Sequence, residues 1–406
     1  MSKPFKINII GGGAAGFFAA LSAKETYPSA LVTILERTAN LLVKVRISGG
    51  GRCNVTHSCF DARALTQNYP RGNKELIGPF TRFQPKNTIQ WFEDRGVTLK
   101  TESDGRMFPI TDSSESIINC LLSECKKLGI TIQTKQFIKS IEKNDNQFLF
   151  TLENGETFSS DAVILATGSG SHGHDLAKSF GHTIQKPIPS LFTFNISNFP
   201  LVDLAGIAVQ DASISIVGEN FKQTGPLLIT HWGFSGPAAL KLSAWAAKIL
   251  HEKNYQTQIS IDWISNVSRE KILHAIETLR HAHPQQQFSK NNLFGIPKNL
   301  WKKFVELQGI PEDKKILDIS KKDYLKFCDR LKLDIYTMHG KTTHKEEFVT
   351  CGGVTRSEIN FKTMESRLCP GLYFAGEVID IDAVTGGFNF QNAWTTGWIA
   401  GKSFLL

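Results

Sequence analysis

Residues 5–36 read FKINIIGGGAAGFFAALSAKETYPSALVTILE. Phe5–Ile10 is a short apolar run, Gly11–Gly16 is a glycine-rich turn, and Phe17–Lys24 continues with helix-compatible residues until Tyr27-Pro28 stops them. A second apolar run, Ala30–Leu35, ends at Glu36. The order is strand, glycine turn, helix, strand, acid. Glycines at 11, 13 and 16 match G-x-G-x-x-G, and Glu36 lies 36 − 16 = 20 residues past the last of them, the separation of a ribose-binding carboxylate. Each residue type has a reason. Gly11 permits the tight turn, Gly13 lets a pyrophosphate approach the backbone, and Gly16 lets helix pack on strand. Phosphate then meets the amide N–H groups at the helix start around Ala14 and Ala15. Glu36 would accept hydrogen bonds from an adenosine ribose and repel a 2′-phosphate, which predicts FAD or NAD rather than NADP.

The rest of the composition sets bounds. At 406 residues, 41% hydrophobic and 21% charged, with 7 Trp and 28 Phe, the chain has enough apolar mass for two or three domains and is neither disordered nor fibrous. No apolar run reaches the roughly 18 residues that span a bilayer, and Met1–Lys6 leads directly into a strand, so neither membrane span nor signal peptide is expected and the cytoplasm is the expected compartment. Seven cysteines, an odd number without metal-type spacing, point to reduced thiols and no metal site. The net charge is +8, and residues 268–335 carry 14 Lys and Arg against 9 Asp and Glu.

Further along, Asp161–Thr167 reads as a buried strand running into Gly168-Ser169-Gly170-Ser171-His172-Gly173, formally a second G-x-G-x-x-G. Twenty residues past Gly173 stands Thr193 rather than an acid, and Pro187 and Pro189 oppose a βαβ unit, so this is expected to be a structural turn followed by a short helix over 175–180. From Ser190 the pattern becomes separated strands (191–196, 212–217, 257–263), as in an antiparallel sheet or barrel. Ser235 is the expected N-cap of a helix over 238–250. Apolar spacing predicts helices over 268–281, 298–307 and around 324–331, a small helical module inserted in the sheet region. Near the C-terminus, Gly371–Ala375 reads as a strand ending at Gly376-Glu377, and Thr385-Gly386-Gly387-Phe388-Asn389 opens a helix whose first N–H groups face whatever anion lies there.

Together, Gly11–Gly16 with Glu36, the block Ser48–Asn54, the run Ala166–Gly168, and Gly371–Glu377 through Thr385–Asn389 resemble one bacterial flavoprotein family. It is the NAD(P)/FAD-dependent, aminoacetone-oxidase-like oxidoreductase family, which includes proposed bile-acid (BaiN-like) reductases. Leu228–Ala238 and Cys351–Val354 resemble its middle and late motifs. The resemblance implies an α/β fold: a glutathione-reductase-like FAD-binding Rossmann domain (1–190 and 346–406), an inserted β-rich, barrel-like substrate domain (191–267 and 336–345), and the helical insertion (268–335). It also implies that FAD runs from Glu36 and Arg37 at the adenosine, with backbone near Ile138 at the adenine, to Gly386-Gly387 at the isoalloxazine. Arg52, Cys53 and Asn54 would lie in the loop near the flavin, with Lys44, Gly51, Thr167 and Gly168, Gly376 and Glu377, and Phe388 and Asn389 completing the cofactor contacts.

Several residues invite competing readings. Cys53 and Cys59 could form a redox pair, but their separation of 59 − 53 = 6 and the glycine loop before them favour a packed Cys53 beside the flavin. His172, His174 and Asp175 could hold a metal, but no further ligand has suitable spacing, and a turn with Asp175 near a helix start is preferred. His231, beside Trp232, is the one candidate proton donor, with packing as its ordinary role. The function expected is FAD-dependent electron or hydride transfer from a donor, NAD(P)H among the candidates as a transient partner, to a small-molecule acceptor held between the FAD and β-rich domains. The alternative is an FAD-dependent RNA-modifying or RNA-binding protein that grips nucleic acid with Lys302, Lys303, Lys314 and Lys315 of the helical module; a flavin-loaded sensor is a third.

Overall fold

A computed structural model describes residues 3–145, 147–342 and 349–404. The chain forms two compact units, residues 1–189 with 345–406 and residues 190–344. The boundary expected at 345/346 lies outside the described residues. Among those described, no helix is long and apolar enough to cross a membrane.

In the first unit, the run quoted above folds as read: strand Lys6–Ile10, helix Ala14–Thr26, strand Leu31–Leu35. These strands are the centre of a seven-stranded sheet in the order 359–360, 365–366, 372–374, 162–165, 6–10, 31–35, 131–133. The last five are parallel, and 359–360 with 365–366 forms an antiparallel hairpin at the far edge. Ile7, Ile9, Ile34, Val163, Ile164 and Leu165 are buried, as strands covered on both faces require. The strand near the C-terminus therefore pairs with 162–165, one place from the strand that starts the chain.

Helix Phe388–Gly401 lies against helix Ala14–Thr26, and the contact is made by small residues. A Cβ on Gly397 would sit 2.5 Å from the Ala15 carbonyl oxygen, and one on Gly401 would sit 2.3 Å from that of Ala19. Backbones approach this closely only where side chains are absent. Both ends of the chain are thus locked into one structure.

The second G-x-G-x-x-G is a structural turn. Its helix begins at Ser171 rather than near 175, with Gly170 at the N-cap, so His172, His174 and Asp175 lie inside a helix and not in a turn. The His172 ring is drawn inward by the Ile138 carbonyl, 2.7 Å from Nε2. No metal-binding cluster of His, Cys, Asp and Glu occurs among the described residues. Ile184–Pro189 then pairs antiparallel with Thr350–Val354.

The second unit is a closed six-stranded barrel in the order 193–196, 233–235, 222–229, 208–216, 256–262, 334–342. Two of its strands, Lys222–Ile229 and Gly233–Ser235, are not among those expected from the sequence, because Lys222-Gln-Thr-Gly-Pro breaks the apolar alternation. The helix expected over 238–250 is two, Gly236–Trp245 and Ala247–Glu252, and the Ser235 hydroxyl accepts from Thr193 instead of capping. Helices Arg269–Ala282, Lys298–Leu307 and Lys321–Lys332 bury Ile272, Leu300, Phe304, Phe327 and Leu331 in one core with barrel residues such as Phe234 and Trp263. Buried Asp334 ties this core together by accepting from Trp263 Nε1 (3.0 Å) and Arg330 Nη1 (3.1 Å), and burial pushes its carboxyl above the usual range.

Two outcomes test this packing. Gly401→Val should destabilise the protein by about 3 kcal/mol, because neither helix backbone can retreat without opening the core; chemical denaturation reads the change. The second concerns buried His174 and His182, whose pKa values burial lowers. The unfolded chain takes up these protons below about pH 6.5 while the folded chain resists them, so stability present at pH 7 declines as the pH falls through that value. The melting temperature should drop between pH 7.5 and 5.5, and drop less in a His174→Gln/His182→Gln variant.

Candidate active site

The glycine turn sits at the C-terminal end of the central strand, where open α/β sheets bind ligands. Gly11 adopts φ +114°, and a Cβ there would lie 2.4 Å from the Ala166 carbonyl oxygen, so only glycine fits. A Cβ on Gly16 would lie 2.0 Å from the Gly11 oxygen, which holds the helix against the turn. Around Gly13, by contrast, the space beside the backbone is open for 4 Å. Gly13 is the N-cap, no side chain caps the helix, and its first turn carries no acid. The N–H groups of Ala14, Ala15 and Gly16 are therefore available, with the positive end of the helix, to an anion.

Glu36 is held ready at the end of the second strand. Its Oε2 accepts from Gly12 N–H (2.8 Å), and its Oε1 accepts from the Thr38 N–H and hydroxyl (2.8 Å each). Arg37 beside it is exposed. Lys44 and Glu377, 333 residues apart, form an ion pair at 2.5 Å. Gly376 donates its N–H to Thr396 Oγ1 (2.9 Å), and a Cβ there would press to 2.8 Å on Ala15 Cβ, so this motif is wedged against the first helix.

The loop 48–54 is built by glycine. Gly49, Gly50 and Gly51 have φ values of +58°, +69° and +83°, followed by Cys53 at +63°. The Arg52 guanidinium lies 4.0 Å over the Phe108 ring and pairs with Glu102 at 2.6 Å. Cys53 is buried, and burial pushes its thiol up to about 12, so it stays protonated at neutral pH; Cys53 and Cys59 both carry unbridged thiols. With the Asn54 amide oriented to satisfy both its ends, its nitrogen donates to the Thr56 carbonyl (3.1 Å) and its oxygen accepts from Gly387 N–H (3.0 Å). The Gly387 donor is thus engaged, and Phe388, Asn389 and Phe390 provide the N–H groups that helix Phe388–Gly401 leaves without internal partners. Asn389 pins the preceding loop by exchanging two hydrogen bonds with the Ala383 backbone (2.9 and 3.1 Å).

Other expected site residues are dispersed. The Ile138 carbonyl is occupied by His172. Gly168 turns at φ +69°, beside Thr167. His231 lies exposed in the turn between barrel strands, its ring 5.9 Å from that of exposed Trp232. Residues not expected from the sequence also border the site. His57 stacks on Phe388 at 4.6 Å, Tyr69 donates to the Phe388 carbonyl (2.6 Å), and buried Gln391 accepts from the Thr56 (2.6 Å) and Thr88 (2.9 Å) hydroxyls. Arg71 and Asp382, both buried, form a two-pronged ion pair that fixes the loop before Gly386. Only the nearness of His57 to the 48–54 block hinted at any of these.

The cradle fits an adenine dinucleotide. Besides the open side of Gly13, the Thr167 hydroxyl, one residue before Gly168, and the Asn392 amide oxygen, in the first turns of helix Phe388–Gly401, are buried without a hydrogen-bond partner. Native interiors rarely leave such atoms unsatisfied, so a ligand that completes them is a physical expectation.

A parallel sheet carrying this turn, Glu36 at the second strand and a late glycine-opened helix defines a flavoprotein oxidoreductase, an FAD-dependent enzyme of the Rossmann type. The chain belongs to the HI0933-like protein Rossmann domain family, whose model matches residues 5–403. It is 29% identical over 98% of its length to the 3-dehydro-bile acid delta(4,6)-reductase of Clostridium scindens, covering 98% of that protein. It is 30% identical over 99% of its length to the ribosomal RNA dihydrouridine synthase of Escherichia coli, covering 98% of it. The 3-ketosteroid-delta4-(5alpha)-dehydrogenase of Rhodococcus jostii RHA1 shares the fold, with a TM-score of 0.53 and 13% identity over 99% of this chain and 97% of that one.

Replacing Glu36 with Ala should lower FAD affinity by about tenfold or more, the worth of hydrogen bonds to a charged acceptor. Flavin content of the purified variant and titration of its apoprotein with FAD provide the measurement.

Proposed function

We propose that the protein reduces a carbon–carbon double bond conjugated to a carbonyl. The named substrates of the two sequence relatives support this. A 3-dehydro bile acid with Δ4,6 unsaturation and a uridine each present an alkene in conjugation with C=O, and saturating one such bond consumes one hydride, at a carbon the carbonyl makes electrophilic, and one proton. Bound FAD supplies the two-electron step, replenished in this proposal by NAD(P)H, which gives up one hydride per turnover.

The single observation that carries the cofactor's placement is the uncapped, acid-free start of helix Ala14–Thr26 beside an oriented Glu36. We assign the pyrophosphate to the N–H groups of Ala14, Ala15 and Gly16, with Gly11 and Gly13 shaping the approach, and the adenosine to Glu36, Arg37 and the Ile138 region. Lys44 with Glu377, Thr167, Gly168 and Gly376 would line the middle of the cofactor. Gly51–Asn54 and Gly386–Asn389 would face the ring end, where the Phe388 and Asn389 N–H groups favour negative charge. His231 is the residue proposed to deliver the proton.

A second reading narrows the acceptor to uracil in ribosomal RNA. It is favoured by a full-length relative with that activity and by the net charge of +8. In the helical module, Lys302 pairs with Glu312 (2.7 Å) and Lys303 with Asp203 and Glu306 (3.2 Å each), while Lys315 bonds the neutral Gln285 (2.7 Å), so two of the four lysines named for an RNA grip carry acidic partners.

The test is anaerobic. NADH or NADPH should bleach the flavin absorption, and either a 3-keto-Δ4 steroid or a uridine-containing RNA should restore it with formation of the saturated product. Reduced flavin that reoxidises with neither compound, yet with oxygen, would sink the proposal. His231→Gln should slow reoxidation by the acceptor by roughly a hundredfold without altering flavin reduction.

A further inference from the structure

At the sheet edge opposite Glu36, a cleft of about 590 Å³ opens between helix Ile77–Arg82 and the hairpin of strands 359–360 and 365–366. No motif discussed above reaches it. Its charged lining is Arg82, Arg356, Lys362 and Arg367 against the lone acid Glu75. Arg356 is answered by Glu75 (3.3 Å) and by Asp380 (3.4 Å), which neutralises that corner.

The other three cations are different. Arg82 donates to the Lys362 backbone carbonyl and Arg367 Nε to the Ile359 carbonyl (3.3 Å). Among the described residues, no carboxylate lies within ion-pair distance of Arg82, Lys362 or Arg367, and all three are exposed. The backbone bonds hold the two guanidinium groups in place while leaving their charge uncompensated. Their arrangement therefore contrasts with Lys302 and Lys303 of the helical module, which carry acidic partners. Next to the cleft, the half-buried Trp398 ring stacks on Phe83 (5.1 Å between centroids) and lies under Arg82 (5.7 Å) and Lys402 (4.3 Å), so Lys402 continues the basic strip past the cleft.

Three like charges around one concavity, whose single lining acid Glu75 is engaged by Arg356, raise the local concentration of anions. Forked guanidinium donors favour phosphate oxygens, and a strip of cations running from the cleft to Lys402 suits a nucleic-acid strand better than a simple ion. We infer that this cleft binds the phosphate groups of a ribonucleotide, those of an RNA backbone docking beside the flavin unit. A nicotinamide dinucleotide phosphate presents the same chemistry and is the other source that the test separates. The inference extends the RNA reading of the acceptor, but it is read by binding alone, so failure of double-bond reduction would leave it standing.

The experiment uses FAD-loaded full-length protein and an Arg82→Gln/Lys362→Gln/Arg367→Gln variant. The charge-matched control is Lys302→Gln/Lys314→Gln/Lys315→Gln in the helical module. Anisotropy of a fluorescein-labelled, single-stranded, uridine-containing RNA is followed across a salt series. The cleft variant should bind about tenfold or more weakly, and the slope of log affinity on log salt should shrink by about 2, since each lost phosphate contact removes ~0.7 on a single strand. The control should change neither. If RNA binding holds but the NADPH concentration needed for half-maximal flavin bleaching rises tenfold, the phosphate is that of the dinucleotide. Unchanged RNA and NADPH binding, or equal weakening by the control, overturns the inference. Should the triple variant lose its flavin spectrum, Lys362→Glu alone, at an exposed position, must weaken binding in the same direction.

Discussion

The packing of the last helix on the first is the contact on which the rest of the FAD unit depends. Gly397 and Gly401 allow the backbone of Phe388–Gly401 to come against Ala15 and Ala19 with no side chain between them. This contact fixes the distance between two helix starts, at Gly13 and Gly387, each of which directs unpaired N–H groups outward. Dispersion between close-packed atoms is short-ranged, so the arrangement tolerates little drift. The same wedge holds Gly376 on Ala15, which places Glu377 within reach of Lys44.

Around the second helix start, polar groups do what small residues do around the first. Asn54 bridges Thr56 and Gly387, Asn389 clamps Ala383, Gln391 gathers two threonine hydroxyls, and Arg71 holds Asp382. These partners come from four segments of the chain, 54–56, 71, 88 and 382–391, and every one of them is buried or half-buried. Burial makes each unsatisfied group costly, so the network specifies a single loop conformation before Gly387. Burial in the same region keeps the Cys53 thiol protonated at neutral pH, where it packs as a small apolar group.

Much of the first unit was legible because its signals are local. Strand, glycine turn, helix and acid within 5–36 each announce themselves by composition, and a turn with φ +114° admits glycine alone. The barrel was legible only as a change of texture. Its strands 222–229 and 233–235 carry Gly, Pro and Lys because neighbours across the barrel, rather than their own alternation, hold them. The short helix after Gly168 began earlier than its residues suggest, since His172 is pulled inward by a carbonyl 34 residues away. His57 and Tyr69 looked ordinary, and only their position against Phe388 gives them significance.

What the sequence determined by itself was a strand, glycine turn, helix and strand ending at Glu36, and a second glycine-opened helix near the other end of the chain. Those features depend on backbone conformations and spacings that neighbouring residues dictate. Tertiary structure alone decided that the two meet, that Arg356 at the sheet edge finds Glu75 and Asp380 while Arg82, Lys362 and Arg367 find backbone or solvent, and that Arg71 finds Asp382 across 311 residues. Charge compensation and close packing depend on which surfaces face each other, and that is fixed only when distant segments share one core.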